Sequence, residues 1–277
     1  GMWPWAQCGA LCETPAEAGH ALVELCSSHS VLERDRPGLG TVHGRHVFED
    51  GSVFVGEFIG AKRHGRGRHA FPDGAVYEGQ FRDDKTSGKG KFCHADGDVY
   101  EGGWLDDRAH GQGLYCSKDG SRYEGQWLHD KQEGEGTEVF HDGAVYEGQF
   151  SGGRKNGYGS IAWPEGSSYE GDFQENFIHG VGIYKWEDGR TFQGQWESNK
   201  MHGQGLFTWT DGRLYDGEYV RDVKDGYGVF RWPDGRRYEG HWKDGSQHGT
   251  GVFYEADGRS GEGEWDNGER VRWNGDS

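Results

Sequence analysis

One spacing repeats through most of this 277-residue chain. An aromatic residue recurs every 23 positions without insertion or deletion, a glycine follows two places later, and a second aromatic residue follows two places after that. A fixed period of this kind is the signature of a repeat protein, in which each unit is one small motif that packs on its neighbours. The aromatic residues that open the units are Phe54, Tyr77, Tyr100, Tyr123, Tyr146, Tyr169, Phe192, Tyr215 and Tyr238.

Each unit has the pattern of a β-hairpin. Aromatic residues at the first and fifth places, with glycine between them, have the period of two that is typical of a strand with one aromatic face. A second strand follows and ends at Asp-Gly, as at Asp73-Gly74, which is a strong hairpin signal. Between the strands, His-Gly-X-Gly or a variant predicts a tight reversal, because glycine accepts positive φ. The predicted fold is therefore all-β, an elongated, twisted single-layer antiparallel sheet of stacked hairpins.

The composition fits a thin sheet better than an ordinary globule. The chain has 52 glycines and only 32% hydrophobic residues, yet 14% of its residues are aromatic. Low apolar content often indicates disorder, but a large ring can bury roughly 150–250 Å². We expect aromatic rings to take the place of an aliphatic core.

The repeated segment resembles the MORN family ("membrane occupation and recognition nexus" repeats). The stretch from Tyr77 to Trp104, YEGQFRDDKTSGKGKFCHADGDVYEGGW, is similar to the family motif YEGxWxxGxxHGxGxxxxxDGxxY. The resemblance extends from about Gly44 to Trp265. It implies a single-layer antiparallel sheet and non-catalytic roles: scaffolds in cytoskeletal, flagellar or membrane-junction assemblies, or targeting segments of larger enzymes.

The repeats also predict the organisation of the chain. Residues 1–40 form a leader and 41–277 the array, with a partial unit at 44–53, nine full units at 54–260 and a degenerate unit at 261–277. In the leader, Thr14-Pro15-Ala16-Glu17 is a capping box that predicts a short helix from about Pro15 to Ser27. This helix is expected to cap the first open edge of the sheet, and docking to a partner is the alternative.

Charge and cysteine content limit the partners and the compartment. A formal net charge of −17 repels nucleic acid and anionic lipid, unless basic groups are segregated on one patch. Five cysteines without a framework spacing are typical of a reducing compartment, so the predicted location is cytoplasmic, with or without association with the cytoskeleton or a membrane. Cys93 and Cys116 occupy equivalent places about 10 Å apart and are not expected to bridge.

The second strands of the later units carry a series of large rings. These rings are interpreted either as local core or as an aromatic groove that takes an extended or helical segment of a protein partner. Aromatic residues are enriched among interface hot spots, which favours the groove as the predicted binding surface. Its residues are Trp163, Tyr184, Trp186, Phe207, Trp209, Phe230, Trp232 and Phe253.

Basic residues concentrate in the first units and suggest an alternative function. They are interpreted either as a solvated surface or as a site for an anionic ligand such as a phosphoinositide headgroup, which would make the protein a peripheral membrane module. The residues are Arg45, Lys62, Arg63, Arg66, Arg68 and Lys91.

Nothing in the sequence indicates catalysis, a cofactor or a metal. Histidine recurs before the repeated glycine, but equivalent atoms in adjacent units lie about 10 Å apart, too far to share an ion bound at about 2.1 Å. We therefore expect no enzyme, no cofactor, no bound metal and no nucleic acid. A protein partner is expected, and pairing of sheet edges or faces makes a homodimer plausible.

Overall fold

The computed structural model describes residues 40–273, and every regular element in that range is a β-strand. The 21 strands belong to one antiparallel sheet. The helix predicted from about Pro15 to Ser27 lies outside the described residues. Within them there is no helix of the length and apolarity needed to cross a bilayer.

The strands are numbered in chain order. The first nine strands are β1 (Val42–Val47), β2 (Val53–Ile59), β3 (Lys62–Ala70), β4 (Val76–Arg82), β5 (Lys85–Cys93), β6 (Val99–Leu105), β7 (Arg108–Cys116), β8 (Arg122–Leu128) and β9 (Lys131–Val139). The remaining strands are β10 (Val145–Ser151), β11 (Arg154–Ala162), β12 (Ser168–Gln174), β13 (Phe177–Lys185), β14 (Thr191–Glu197), β15 (Lys200–Thr208), β16 (Leu214–Val220), β17 (Val223–Arg231), β18 (Arg237–Lys243), β19 (Ser246–Tyr254), β20 (Ser260–Asp266) and β21 (Glu269–Trp273).

Packing divides the chain into two compact units. Unit 1 contains β1 to β9, and unit 2 contains β10, apart from its last residue, to β21. Inside each unit, strands that follow one another in sequence pair antiparallel, as β4 with β5 and β16 with β17. The prediction of one hairpin per 23-residue repeat is confirmed.

The reversal inside each hairpin is not where the sequence predicted it. The chain turns before His-Gly-X-Gly, at two residues with positive φ, as at Asp83 (φ 50°) and Asp84 (φ 73°). The pair has the signs of a type I′ turn, which matches the twist of the flanking strands. The glycine motif lies within the second strand, where Gly88 (φ 88°) accompanies a shift of register between Gly79 and Phe81. Glycine with positive φ occurs both in tight turns and in G1-type β-bulges, so the glycines alone did not distinguish the two.

The other end of each hairpin is as predicted. Gly74 has φ 97°, and its backbone N–H donates to the carbonyl of Phe71 across 3.1 Å. The Asp73 carboxylate accepts from the backbone N–H of Ala75 at 2.9 Å. The Asp-Gly signal is confirmed as the turn that joins one hairpin to the next.

Buried tyrosine rings lie directly on glycine backbone. Tyr77 is 1% exposed, and a Cβ built on Gly90 would come within 2.2 Å of its hydroxyl oxygen. The hydroxyl donates to the carbonyl of Gln80 at 3.0 Å. The ring meets Phe81 and Trp104 edge to face, with centroids 5.0 and 5.1 Å away. The glycines are therefore required because the rings cover the strands at those places.

Asp222 provides a test of the hairpin turn. It has φ 74°, and its carboxylate accepts from the backbone N–H of Met201 at 2.8 Å. Asp222→Ala should lower the free energy of unfolding by about 2 kcal/mol, because alanine loses this bond and tolerates positive φ poorly. Urea denaturation followed by tryptophan fluorescence measures the loss. Asparagine can still accept the hydrogen bond and tolerates positive φ, so Asp222→Asn should lower the free energy of unfolding by less than about 0.5 kcal/mol. Equal losses for the two variants would contradict this account.

Cys93 and Cys116 are both disulfide-bonded. They flank the same residue, since Val99 pairs with Cys93 on one side and with Cys116 on the other. The expectation that these two cysteines do not bridge, which rested on a spacing of about 10 Å between equivalent positions, is wrong. Spacing along the sequence carries no information on redox state, and the cysteine argument for a cytoplasmic location loses its support.

Candidate functional site

The eight predicted binding residues form one continuous series of ring contacts in unit 2, which we call the aromatic ladder. Centroids of successive rings lie 4.4–5.9 Å apart from Trp163 to Phe253. The strands place these rings on the face of the buried tyrosines, because Tyr184 pairs with Tyr169 and Phe230 with Tyr215. The members of the ladder are Trp163, Tyr184, Trp186, Phe207, Trp209, Phe230, Trp232 and Phe253.

Burial separates the members of the ladder into two groups. Phe207 and Phe230 are each 7% exposed and pack as core. The other six are half-buried and present part of each ring to solvent: the indoles of Trp163, Trp186, Trp209 and Trp232, with Tyr184 and Phe253. The core interpretation therefore fits the two phenylalanines, and the surface that a partner can touch consists mainly of tryptophan. A role in partner binding stays a prediction.

Three of these indoles are each covered by an arginine of their own, a feature that was not predicted from the sequence. The Arg213 guanidinium carbon lies 5.5 Å from the Trp209 ring centroid, and its Nε donates to the Asp211 carboxylate at 2.7 Å. The signal was the sequence Trp-X-Asp-Gly-Arg, in which the Asp-Gly turn returns the arginine over the ring. The same arrangement recurs, with distances within 0.1 Å, at Trp186, Asp188 and Arg190 and at Trp232, Asp234 and Arg236.

Phenol groups beneath the ladder remain neutral. The Tyr215 hydroxyl donates to the carbonyl of Glu218 at 3.1 Å, and the Tyr238 hydroxyl donates to that of His241 at 3.0 Å. Burial raises the pKa of Tyr238 to about 12, because desolvation disfavours the phenolate. These tyrosines act as structural hydrogen-bond donors.

The structure does not bring the six predicted basic residues into one patch. Arg63 lies on the aromatic face, with its guanidinium carbon 5.3–5.9 Å from the ring centroids of Phe48, Phe54 and Phe81. Its Nη1 lies 2.9 Å from His69 Nδ1. Burial, followed by the charge of Arg63, lowers the pKa of His69. Arg63 is thus largely a packing residue.

Most of the other basic residues share the opposite face with acidic groups. Cross-strand pairs alternate in charge, since Arg68 and Lys91 both pair with Glu78, and Lys91 also pairs with Glu101. Arg66, Arg68 and Lys91 line a groove of about 1180 Å³ with these glutamates. Arg45 pairs with Val55 on the same row, and the Lys62 ammonium lies 3.9 Å from Asp83 beside a hairpin turn. The negative charges of the glutamates therefore offset the positive charges on this face.

Unit 1 has a cavity of about 870 Å³ on its aromatic face, which the sequence analysis also missed. Its wall includes Tyr77, Phe92, Tyr100, Trp104 and Trp127. The space exists because Thr86, Ala109 and His94 line it, whereas unit 2 has larger side chains at the equivalent places, namely Met201, Lys224 and Trp209. A comparison of equivalent positions across the repeats could have found it.

Among residues 40–273 there is no group of three or more His, Cys, Asp or Glu side chains that could hold a metal ion. The repeated histidines lie on strands beside the bulged glycines, as His110 and His202 do in β7 and β15. This differs from the turn position that the sequence predicted for them.

Comparison with known proteins identifies the repeat. The family model described as "MORN repeat" matches nine consecutive segments: 54–76, 77–99, 100–122, 123–145, 146–168, 169–189, 192–212, 215–236 and 238–258. No curated protein matches the chain at a significant level.

Several solved structures resemble the chain at low identity. The TCP10 domain of Danio rerio CPAP, in complex with a peptide of STIL, is 14% identical, with 84% of this chain and 98% of that chain covered and a TM-score of 0.44. The CPAP G-box domain is 13% identical, with 81% and 100% covered and a TM-score of 0.30. The Drosophila melanogaster SAS-4 TCP domain, in complex with a proline-rich motif of Ana2, is 12% identical, with 76% and 99% covered and a TM-score of 0.26.

Proposed function

The chain belongs to the MORN repeat family, and from this premise we propose that it is a non-catalytic scaffold that binds a segment of a partner protein along its aromatic face. The observation that carries the proposal is the series of half-buried indoles in unit 2, each of which presents part of its ring to solvent. Three of them are each covered by an arginine. Tryptophan and arginine are enriched among residues that dominate binding energy. The assemblies implied by the family resemblance are cytoskeletal, flagellar or at membrane junctions.

The ladder is organised in advance of binding. Three of the indoles, Trp186, Trp209 and Trp232, are each held by a ring on either side. Trp209, for example, lies 4.4 Å from Phe207 and 5.6 Å from Phe230. The Arg213 side chain is fixed by its bond to Asp211. Binding would therefore cost little conformational entropy in these side chains. Fixed indoles spaced by one repeat suit an extended or helical segment.

The combined variant Trp186→Ser and Trp209→Ser tests the surface. It should weaken capture of the partner by more than about 100-fold, because two aromatic anchors are lost. The partner is first isolated from source cells with the intact chain and identified by mass spectrometry, and affinities are then measured by calorimetry. Phe230→Ser is a poor test because Phe230 is core.

Leu206→Ser is the matched control. Leu206 precedes Phe207 in β15 and therefore points to the opposite face, where it is 36% exposed. This variant should bind the partner with unchanged affinity. If the tryptophan variant is folded and also binds normally, the proposal is wrong. Light scattering on the same samples tests the expected homodimer.

Binding of anionic lipid is the alternative function, and the placement of the basic residues weighs against it. Arg63 is packed among rings, and Arg68 and Lys91 alternate with glutamates. Without a continuous basic patch, the charge of −17 should keep the protein off acidic membranes. We expect no difference in flotation between liposomes with and without phosphoinositide. Co-flotation that requires phosphoinositide and is lost in the combined variant Arg66→Ala and Lys91→Ala would favour the alternative.

A further inference from the structure

Lys224 lies at the centre of the ladder. It is in β17, and its ammonium nitrogen lies 4.8–5.1 Å from the centroids of four rings, Trp209, Tyr215, Phe230 and Trp242. Such a position gives favourable cation–π contact but removes much of the hydration of the charge.

This ammonium lacks an acidic partner. No carboxylate among residues 40–273 lies within 4.0 Å of it, whereas Arg213 beside it is paired with Asp211. Tyr219 pairs with Lys224 in the sheet register, and its hydroxyl is buried without a hydrogen-bond partner in the described part of the chain. Within the described residues, the Lys224 ammonium thus has no carboxylate to accept its hydrogen bonds, and the Tyr219 hydroxyl beside it is also unpartnered.

The electrostatics agree with the geometry. Burial, and then the charge of Arg213, lowers the pKa of Lys224 to about 8. The titratable or charged groups that face it are Arg213 from the loop before β16, and Tyr215 and Tyr219 from β16; β18 contributes the neutral Trp242. None of them supplies a negative charge near neutral pH.

We propose that Lys224 is the anchor for a carboxylate of the partner, so that the segment bound on the ladder carries an aspartate or glutamate between apolar or aromatic residues. This inference rests on the proposed function. Charge complementarity favours an acidic segment, because a carboxylate supplies the missing counter-charge and an acceptor for the ammonium. Its neighbours can then pack on the indoles, beside the row formed by Arg190, Arg213 and Arg236.

A dependence of affinity on pH follows. Below about pH 8 the free protein already carries the charge on Lys224, and affinity should be flat. Above that value Lys224 loses its proton in the free protein, while a bound carboxylate favours the protonated form. Binding then takes up a proton, so affinity should fall by up to about tenfold per pH unit above 8.

The experiment selects random displayed peptides on the full chain and on the Lys224→Met variant. Methionine keeps an apolar side chain of similar length, and Met201 stands at the equivalent place one repeat earlier. The intact chain should enrich peptides with a carboxylate beside aromatic or aliphatic residues. A synthetic copy of the best peptide should bind Lys224→Met at least about tenfold more weakly at pH 7 and equally at pH 10. Lys224→Arg should restore part of the affinity and remove the pH dependence.

The outcomes separate this inference from the proposed function. Selected peptides that lack carboxylates, and that bind the Trp209→Ser variant much more weakly than the intact chain, would overturn the role of Lys224. They would still support the aromatic ladder as the binding surface. Acidic peptides that bind Lys224→Met as tightly as the intact chain would also overturn it, because another basic group would then be the anchor. If no selected peptide depends on Trp209, both proposals are wrong.

Discussion

Replacing Gly228 with alanine should lower the free energy of unfolding by about 3 kcal/mol, although the change adds only one methyl group. A Cβ built on Gly228 would lie 2.3 Å from the Tyr215 hydroxyl oxygen and 2.5 Å from the ring carbon that bears it. Tyr215 is fully buried, with ring contacts to Tyr219 and Trp242 at 5.3 and 5.1 Å. The ring cannot move without losing these contacts and its bond to the carbonyl of Glu218.

The loss is to be measured by urea denaturation and by amide hydrogen exchange, because repeat proteins unfold locally as well as globally. Gly258→Ala is the control. Gly258 has φ 86° and nothing within 4 Å of a built Cβ, so its variant should show only the strain of a left-handed backbone, about 1 kcal/mol. If the two variants lose the same free energy, contact between ring and glycine does not explain the motif.

Tyr215→Ala should be similarly damaging, with a loss of about 3–5 kcal/mol, since it empties a fully buried ring site. Tyr215→Phe should cost only about 1 kcal/mol, because it removes the hydroxyl bond to Glu218 and keeps the ring. The chain supports this ranking, because Phe192 occupies the equivalent place one repeat earlier and is also fully buried.

The same denaturation and exchange measurements decide this prediction. Amides of β16 and of its partner strands β15 and β17 should lose protection first in Tyr215→Ala. A loss for Tyr215→Phe as large as that for Tyr215→Ala would show that the hydrogen bond, and not ring packing, holds these strands together.

The repeat, the strands and the aromatic face were predictable because they depend on local periodicity. A ring at places 0 and 4 of a strand must point to one side whatever surrounds it, and Tyr77 and Phe81 do so. The Asp-Gly turn was predictable for the same reason. The positive φ of Gly74 and its hydrogen bond to Phe71 are both set within a segment of four residues.

The predictions that failed depended on features with more than one structural solution. Gly88 was assigned to a reversal and lies in a bulge, because positive φ serves both and the deciding turn is Asp83-Asp84. The six predicted basic residues do not form one patch, because residues close in sequence lie on different faces: Arg63 among the rings and Arg68 opposite a glutamate. Their role in binding an anionic ligand stays a prediction.

The sequence predicted which residues form the aromatic ladder, but it did not predict how exposed each ring is. All eight ladder residues are in contact as expected, yet Phe230 is core while Trp232 is only half-buried. Their difference arises from how far each ring is covered by rings of the next strands, which no local pattern records. The cavity of unit 1 has the same origin in contacts between repeats. The cover of arginine on tryptophan is local instead, because one Asp-Gly turn brings Arg213 back over Trp209.

By itself the sequence determined the 23-residue unit, its two strands and the side on which each ring lies, because these follow from backbone geometry over a few residues. Only the tertiary structure decided which rings face solvent, which cations are paired and that Lys224 is enclosed by four rings without a carboxylate. The physical reason is that burial and charge pairing depend on distances between strands of successive repeats, and these distances arise only when the hairpins pack.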